Sequence, residues 1–185
     1  MKQSYVFLAD GFEEVEALTS VDVMRRAGMP VTTVSINPDC EVTGAHGVTV
    51  VADSVFDEND YGDAEWLVLP GGVPGAPNLA AHEGVCDALL AQHQAGGKVA
   101  AICASPAVVL APLGLLDGRQ AVCYPGMEAD GCGADWGDDS VAVDGKVTTG
   151  NGPAAASAFA LALVEQSMGA VVAEQVAAGM LLTSR

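Results

Sequence analysis

The sequence predicts an α/β fold: a three-layer α/β/α sandwich around a mostly parallel sheet. Short β-branched or apolar runs alternate with longer helical patterns along the whole chain, the signature of strands joined by helical crossovers. The apolar runs at 66–69 and 98–102 read as buried strands, and each closes on small or turn-forming residues, Pro70-Gly71-Gly72 and Cys103-Ala104-Ser105. No internal repeat or linker interrupts the pattern, so residues 1–185 read as one domain. A chain of 185 residues, 50% hydrophobic, buries about 70% of its unfolded surface and needs no disulfide or metal to hold its core.

In order, residues 5–9 give a first strand and Asp10-Gly11 its turn. Residues 13–27 follow as a helix with acids in the first turn, Arg25 and Arg26 in the last and Gly28 at the end, as the helix dipole favours. Residues 31–36 form the next strand, and 44–51 a turn and short strand with Gly47 at the tight point. A helix over 83–94 places Val85, Leu89 and Leu90 inward and stops at Gly96-Gly97. Beyond the strand at 98–102 a helix is expected from residue 107 onward. The runs 141–143 and 146–148 flank Asp144-Gly145 as a hairpin. Residues 153–168 form an Ala-rich helix opened by Pro153, and 171–181 another.

Composition excludes several function classes. Seven Lys and Arg against 24 Asp and Glu leave a net charge of -17, which opposes phosphate-dominated binding to nucleic acid. Solubility or a saline habitat accounts for such acidity, and it names no substrate. The uncharged stretch 99–116 carries Ser105, Pro106 and Pro112 and fits a buried strand and turn better than a membrane span. Five cysteines, Cys40, Cys86, Cys103, Cys123 and Cys132, show no zinc-ligand spacing, so no metal is expected; a reduced, cytoplasmic setting without a secretory leader is. The acids Glu128, Asp130, Asp135, Asp138 and Asp139 lack the alternating ligands of a calcium loop and read as solvated.

The sharpest feature is Val99-Ala-Ala-Ile-Cys103-Ala-Ser-Pro106. On a strand-turn-helix elbow, Cys103 holds its sulfur at the carboxyl edge of the sheet, where open α/β folds bind ligands. The N-terminus of the following helix favours thiolate and lowers the thiol pKa. The same residue also reads as a small buried hydrophobe, the common fate of free cysteine. Two other strand ends reach this edge. Leu69-Pro-Gly-Gly72 offers N–H groups that, with that of Ala104, hold a developing oxyanion, or is an ordinary turn. Asp10-Gly-Phe-Glu-Glu-Val-Glu16 offers a carboxyl that, partly buried and raised in pKa, donates to the sulfur, or is a solvated helix start.

These segments, with Val21-Asp22-Val-Met-Arg-Arg26-Ala-Gly28, Gly75-Ala-Pro-Asn78-Leu and Asn151-Gly-Pro153, resemble the ThiJ/PfpI superfamily, and within it the DJ-one branch of the parkinsonism-associated deglycases, bacterial ThiJ-like members included. The match runs in unbroken order from about residue 4 to 178. The resemblance implies a flavodoxin-like fold with a nucleophile elbow, Cys103 as reactive nucleophile, Glu16 as the carboxyl bonded to it, and Gly72 and Ala104 as oxyanion amides. It implies no cofactor, and a homodimer formed around the first helix and residues 44–51.

The departures matter as much. Tyr124 stands where human-type relatives carry a His, and at neutral pH a phenol donates but is a poor base. Ala104 follows the nucleophile where peptidase branches place His, so proteolysis is disfavoured. Asn151 replaces an Arg. His46 also replaces an Arg near the implied dimer interface, where it faces an active site across the dimer or stays solvated; His82 and His93 read as solvated. Cys123 is either a resolving thiol for oxidised Cys103 or a buried strand residue. Two readings follow: a glyoxalase III or deglycase-like enzyme acting on a small reactive carbonyl or a glycated protein, and a non-enzymatic oxidative-stress sensor or chaperone switched by Cys103 sulfinate. A third is a scaffold without surviving chemistry.

Overall fold

A computed structural model describes residues 1–128 and 131–182. Asp130 of the acidic loop therefore lies outside the described residues. Eleven strands and five α-helices follow one another as β1 (Ser4–Leu8), α1 (Glu14–Arg26), β2 (Val31–Ser35), β3 (Glu41–Thr43), β4 (Thr49–Val51), β5 (Ser54–Val55), β6 (Trp66–Leu69), α2 (Gly75–Ala81), α3 (Glu83–Gln94), β7 (Lys98–Ile102), β8 (Gln120–Ala121), β9 (Asp135–Trp136), β10 (Val141–Asp144), β11 (Val147–Gly150), α4 (Ala156–Met168) and α5 (Ala170–Gly179).

Seven strands form one sheet in the order β10-β11-β7-β6-β1-β2-β5, parallel throughout except that β10 runs against β11. Side chains of a strand alternate between faces, and the two faces here build two apolar layers. Val6, Leu8, Trp66, Val68, Ala100 and Ile102 pack with Val21, Met24, Phe159 and Leu163 of α1 and α4. Their neighbours Phe7, Leu67, Leu69, Val99 and Ala101 pack with Leu79, Val85 and Leu89 of α2 and α3. That is the three-layer, flavodoxin-like sandwich, with the central strands buried on both sides.

Most elements lie within a residue or two of their expected bounds. Three differ. The segment 44–51 is the second half of an antiparallel hairpin: β3 precedes it, and Gly47 takes a φ of 81° in the turn. The edge strand β5 carries two residues, too few for a periodic signal. The helix expected after Cys103 is a short π-type turn, Pro106–Leu110: Ala111 N donates to Pro106 O five residues back, and Pro112 has no N–H to give to Val108 O.

Below the sheet, at its amino edge, the Nζ of Lys98 donates to the Glu65 carboxylate (2.5 Å) and to Ser167 Oγ (3.0 Å), and Trp66 Nε1 donates to the same hydroxyl (2.9 Å). This network ties β6 and β7 to α4. Among the described residues no helix is long and apolar enough to cross a membrane. Phe159 of α4 is fully buried against the sheet. Phe159→Ala is expected to cost about 3–5 kcal/mol, read as a lower denaturant midpoint with an unchanged slope.

Candidate active site at the carboxyl edge of the sheet

Strands β1, β6 and β7 are parallel, so the residues that follow them open at one edge: Asp10 to Glu16 after β1, Pro70 to Gly72 after β6, Cys103 after β7. Cys103 sits there at φ 64°, a conformation that costs a non-glycine residue of order 1–3 kcal/mol. Its backbone is clamped on both sides. The N–H donates to Gly150 O (2.8 Å), continuing the β7–β11 pairing, and the carbonyl accepts from Tyr124 N (2.8 Å). The Ser105 hydroxyl donates to Pro70 O (2.5 Å) and locks the turn to the end of β6. The result is a nucleophile elbow with the cysteine 7% exposed.

Glu16 reaches the elbow from the first turn of α1. Glu13 caps that helix by accepting from Glu16 N (2.8 Å), which turns the Glu16 side chain inward, where it is fully buried. Its Oε2 accepts from Gly71 N (2.7 Å), while Oε1 has no hydrogen-bond partner among the described residues. Gly71 leaves the space for this arrangement: a Cβ there would lie 2.6 Å from Cys103 Cβ and 2.8 Å from Glu16 Oε2. Gly72 is held at φ 94°, and a Cβ on it would meet Gly11 O at 2.3 Å.

Burial pushes the Glu16 carboxyl up to about 7; the Gly71 N–H and the Cys103 thiol pull it back, and the Glu13 charge adds to the rise. Burial also pushes the Cys103 thiol up to about 12, helped by the charge and hydrogen bond of Glu16; the N–H groups of Gly72 and Ala104 act in the opposite sense without prevailing. The lowered thiol pKa expected from the sequence is therefore corrected. A single π-type turn supplies too little dipole to offset the loss of water around the sulfur. The two groups titrate as a pair: below about 7 both carry a proton, and above it the pair keeps one, on the sulfur.

The structure thus brings together Cys103, Glu16, Gly72 and Ala104. Tyr124 adjoins them through its backbone, and the residue is 47% exposed. Cys123 is a free, buried thiol whose Sγ donates to Tyr124 O (3.6 Å). His46, its side chain 70% exposed, is held by the Glu14 carboxylate (Nδ1 to Oε2, 2.7 Å) and not by the elbow. The donor atoms of Glu13, Glu14 and His46 lie within 4.8 Å of one another, but Glu14 is already engaged by the His46 ring and backbone N–H. His82 and His93 are half-buried instead of solvated: His82 caps α3 by accepting from Val85 N (3.1 Å), and burial lowers the pKa of His93. Reading the sequence missed Gly71, Glu13 and Ser105. Two adjacent glycines after a strand were the available signal for the first.

The profile of the DJ-1/PfpI family matches residues 2–166. The chain belongs to the DJ-1/PfpI family. This DJ-1/PfpI chain is 38% identical over 185 residues to the Parkinson disease protein 7 homolog of Danio rerio, covering 98% of itself and 97% of that protein. It is equally identical, over 90% of its length, to Protein DJ-1 homolog B of Arabidopsis thaliana, of which it spans 38%. It is 34% identical over 143 residues to Deglycase PYRAB04690 of Pyrococcus abyssi, covering 76% of itself and 84% of that protein. Among solved structures it is similar to oxidized Toxoplasma gondii DJ-1, with a TM-score of 0.92 at 34% identity over 98% of both chains.

The raised Glu16 pKa has a consequence for stability. Between an ordinary 4.5 and the folded value near 7, the native protein holds a proton that the unfolded chain has released. The stabilisation is complete below pH 4.5 and is lost as pH rises through 7. Wild type is expected to lose about 3 kcal/mol more than Glu16→Gln between pH 4.5 and 8, measured by urea unfolding across that range.

Proposed function

We propose that this protein is a cysteine-dependent enzyme acting on reactive carbonyls, of the glyoxalase III or deglycase type, and that it protects cells under carbonyl stress. The observation that carries this reading is the Cys103 sulfur on its positive-φ elbow, faced by the Glu16 carboxyl and by the N–H groups of Gly72 and Ala104. The likeness to a relative named as a deglycase supports it.

Above the Glu16 pKa the resting pair is a neutral thiol beside a carboxylate. As Sγ attacks an aldehyde carbon, Glu16 takes the thiol proton, the C=O π electrons move to oxygen, and the N–H groups of Gly72 and Ala104 receive the oxyanion. Glu16 returns that proton to the oxyanion, giving a neutral hemithioacetal and an ionised carboxylate again. With methylglyoxal, Glu16 then takes the C1 proton as the C2 carbonyl oxygen gains a proton, forming an enediol; Glu16 returns its proton to C2 as the C1 hydroxyl loses its own, so that C1 is oxidised to a thioester and C2 is reduced to an alcohol. Water releases lactate and restores the thiol. In this reading Tyr124, exposed beside the elbow, donates a hydrogen bond to the substrate.

Carboxylate removal is the direct test. Cys103→Ser is expected to abolish lactate formation from methylglyoxal. Glu16→Gln should lower kcat by about 10²–10⁴-fold, the usual worth of a positioned acid–base group, and erase the rise in rate centred near pH 7. Full activity in Glu16→Gln would remove the carboxyl from the mechanism.

A second reading, a redox sensor acting through Cys103 sulfinate, is favoured by the donors around the sulfur and by the oxidized form of the Toxoplasma relative. Limiting peroxide followed by peptide mass spectrometry should then place oxidation mainly at Cys103. Even oxidation across all five cysteines overturns that reading.

We also infer a homodimer. Val15 and Leu18 of α1 and Val48 and Val51 of the β3–β4 hairpin expose large apolar side chains around His46, a surface suited to a second copy. Sedimentation equilibrium at twice the chain mass is the expected result.

A further inference from the structure

Two successive peptide groups carry donors of this site, and each is held from its carbonyl end. In a trans peptide the C=O and N–H lie in one plane and point opposite ways, so fixing one end aims the other. The bonds from Pro70 to Gly72 are trans, the cis peptide among the described residues being Val73-Pro74. Gly71 O accepts from Glu13 N (3.0 Å), and at the far end of that group the Gly72 N–H acts on the Cys103 sulfur. Pro70 O accepts from the Ser105 hydroxyl (2.5 Å), and at the far end of that group the Gly71 N–H donates to Glu16 Oε2 (2.7 Å). The first group is held by backbone and the second by a side chain.

Ser105 gives up its ordinary role to do this. It stands immediately before the turn Pro106–Leu110, where a serine side chain commonly accepts from an N–H of the turn it precedes. It makes no such bond, and its hydroxyl goes instead to a carbonyl 35 residues back in the chain. Ser105 is fully buried, so a hydroxyl or carbonyl left unpaired there is costly and neither partner gives way easily. It also lies two residues after Cys103: the segment that shapes the elbow fixes the donor on the neighbouring carboxyl. Pro70, Gly71, Ser105 and Glu16 are all buried within one chain, so a second copy against α1 leaves these bonds as they are.

We propose that Ser105 is a positioning residue for Glu16: through the Pro70–Gly71 peptide its hydroxyl aims and strengthens the N–H that holds the carboxylate. It rests on the reading of Glu16 as the proton carrier and assigns what tunes it. Hydrogen bonds in series polarise one another, so donation to the C=O makes the N–H at the far end a better donor to an anion. The Gly71 N–H and the Cys103 thiol favour the charged form of Glu16, while burial and the Glu13 charge oppose it. Weakening the Gly71 bond therefore favours the protonated form, and the carboxyl titrates at higher pH.

The test reads the carboxyl itself, without substrate. Glutamate carboxyls labelled with carbon-13 are followed by NMR from about pH 5 to 9, and the Glu16 signal is the one missing in Glu16→Gln. Its midpoint in wild type lies near 7. Ser105→Ala is expected to raise that midpoint by about half a unit to one unit, the worth of a hydrogen bond expressed as a pKa, and Ser105→Thr, which keeps the hydroxyl, to bring it back. Where the alanine variant does not fold, Ser105→Cys keeps the size, offers only a weak donor and is expected to raise the midpoint too. A serine that merely packs would lower the denaturant midpoint and leave the carboxyl where it was, so an unmoved Glu16 midpoint in the folded Ala or Cys variant overturns the proposal.

Turnover separates this role from the enzymatic reading beneath it. Where wild type forms lactate from methylglyoxal, the rise in rate centred near pH 7 should move up with the carboxyl in Ser105→Ala. A shifted carboxyl with no lactate from wild type retains the positioning role and removes the enzyme. Lactate formation whose pH profile, like the carboxyl, is unmoved by Ser105→Ala retains the enzyme and overturns the positioning role.

Discussion

The site depends on one hydrogen bond, from the Gly71 N–H to the Glu16 carboxyl at 2.7 Å. It joins the first turn of α1 to the end of β6, beside the Cys103 Cβ, in a space that any residue but glycine would fill. The carboxyl is fully buried, and among the described residues no cation acts on it, so the backbone must supply what a Lys or Arg would otherwise provide. A neutral donor offsets part of the desolvation cost, and the remainder appears as a pKa near 7. The same burial that makes Glu16 a usable proton carrier at neutral pH makes it a drain on stability there.

The second constraint is conformational. Cys103 holds a positive φ because neighbours on both sides leave it no alternative: β11 takes its N–H and the segment beyond β8 takes its carbonyl. Such strain survives only where the surroundings over-determine it. The parallel topology supplies that over-determination, since it brings the ends of β1, β6, β7 and β11 to one edge. Had β11 run the other way, Gly150 would lie at the opposite edge and the elbow would lose its anchor. The Lys98–Glu65–Ser167 network serves the opposite end of the same strands, where charge does not disturb the sulfur.

Much of this was legible in residues alone. The buried strands announced themselves by unbroken apolar runs, α1 by acids at its start and Arg25, Arg26 and Gly28 at its end, and the hairpin before β11 by Asp144-Gly145. Cys103 and the amides of Gly72 and Ala104 follow from the strand ends, Glu16 from the family resemblance, and the four converge. What escaped was whatever depends on environment. Counting residues does not show that desolvation outweighs a helix terminus, so the thiol was expected acidic and is instead pushed up to about 12. Nor does it show which way Cys123 points, or that His46 has a buried carboxylate for a partner. Short elements such as β5, and the π-type turn at Pro106–Leu110, give no period to read.

The resting state of the pair bears on which chemistry suits it. A peroxide-sensing cysteine works as an exposed thiolate, since the thiolate is the form that reacts. Cys103 is instead nearly buried and keeps its proton, with the carboxylate able to receive that proton lying beside it. Such a thiol is slow toward any electrophile that cannot also use Glu16 and the two amides. A carbonyl compound uses all three at once: its carbon takes the sulfur, its oxygen takes the N–H groups, and the displaced proton has a place to go. Peroxide gains nothing comparable from the amides. The high thiol pKa therefore guards the sulfur between turnovers and is overcome only by a substrate of the right shape, which places the balance of the physical argument with carbonyl chemistry.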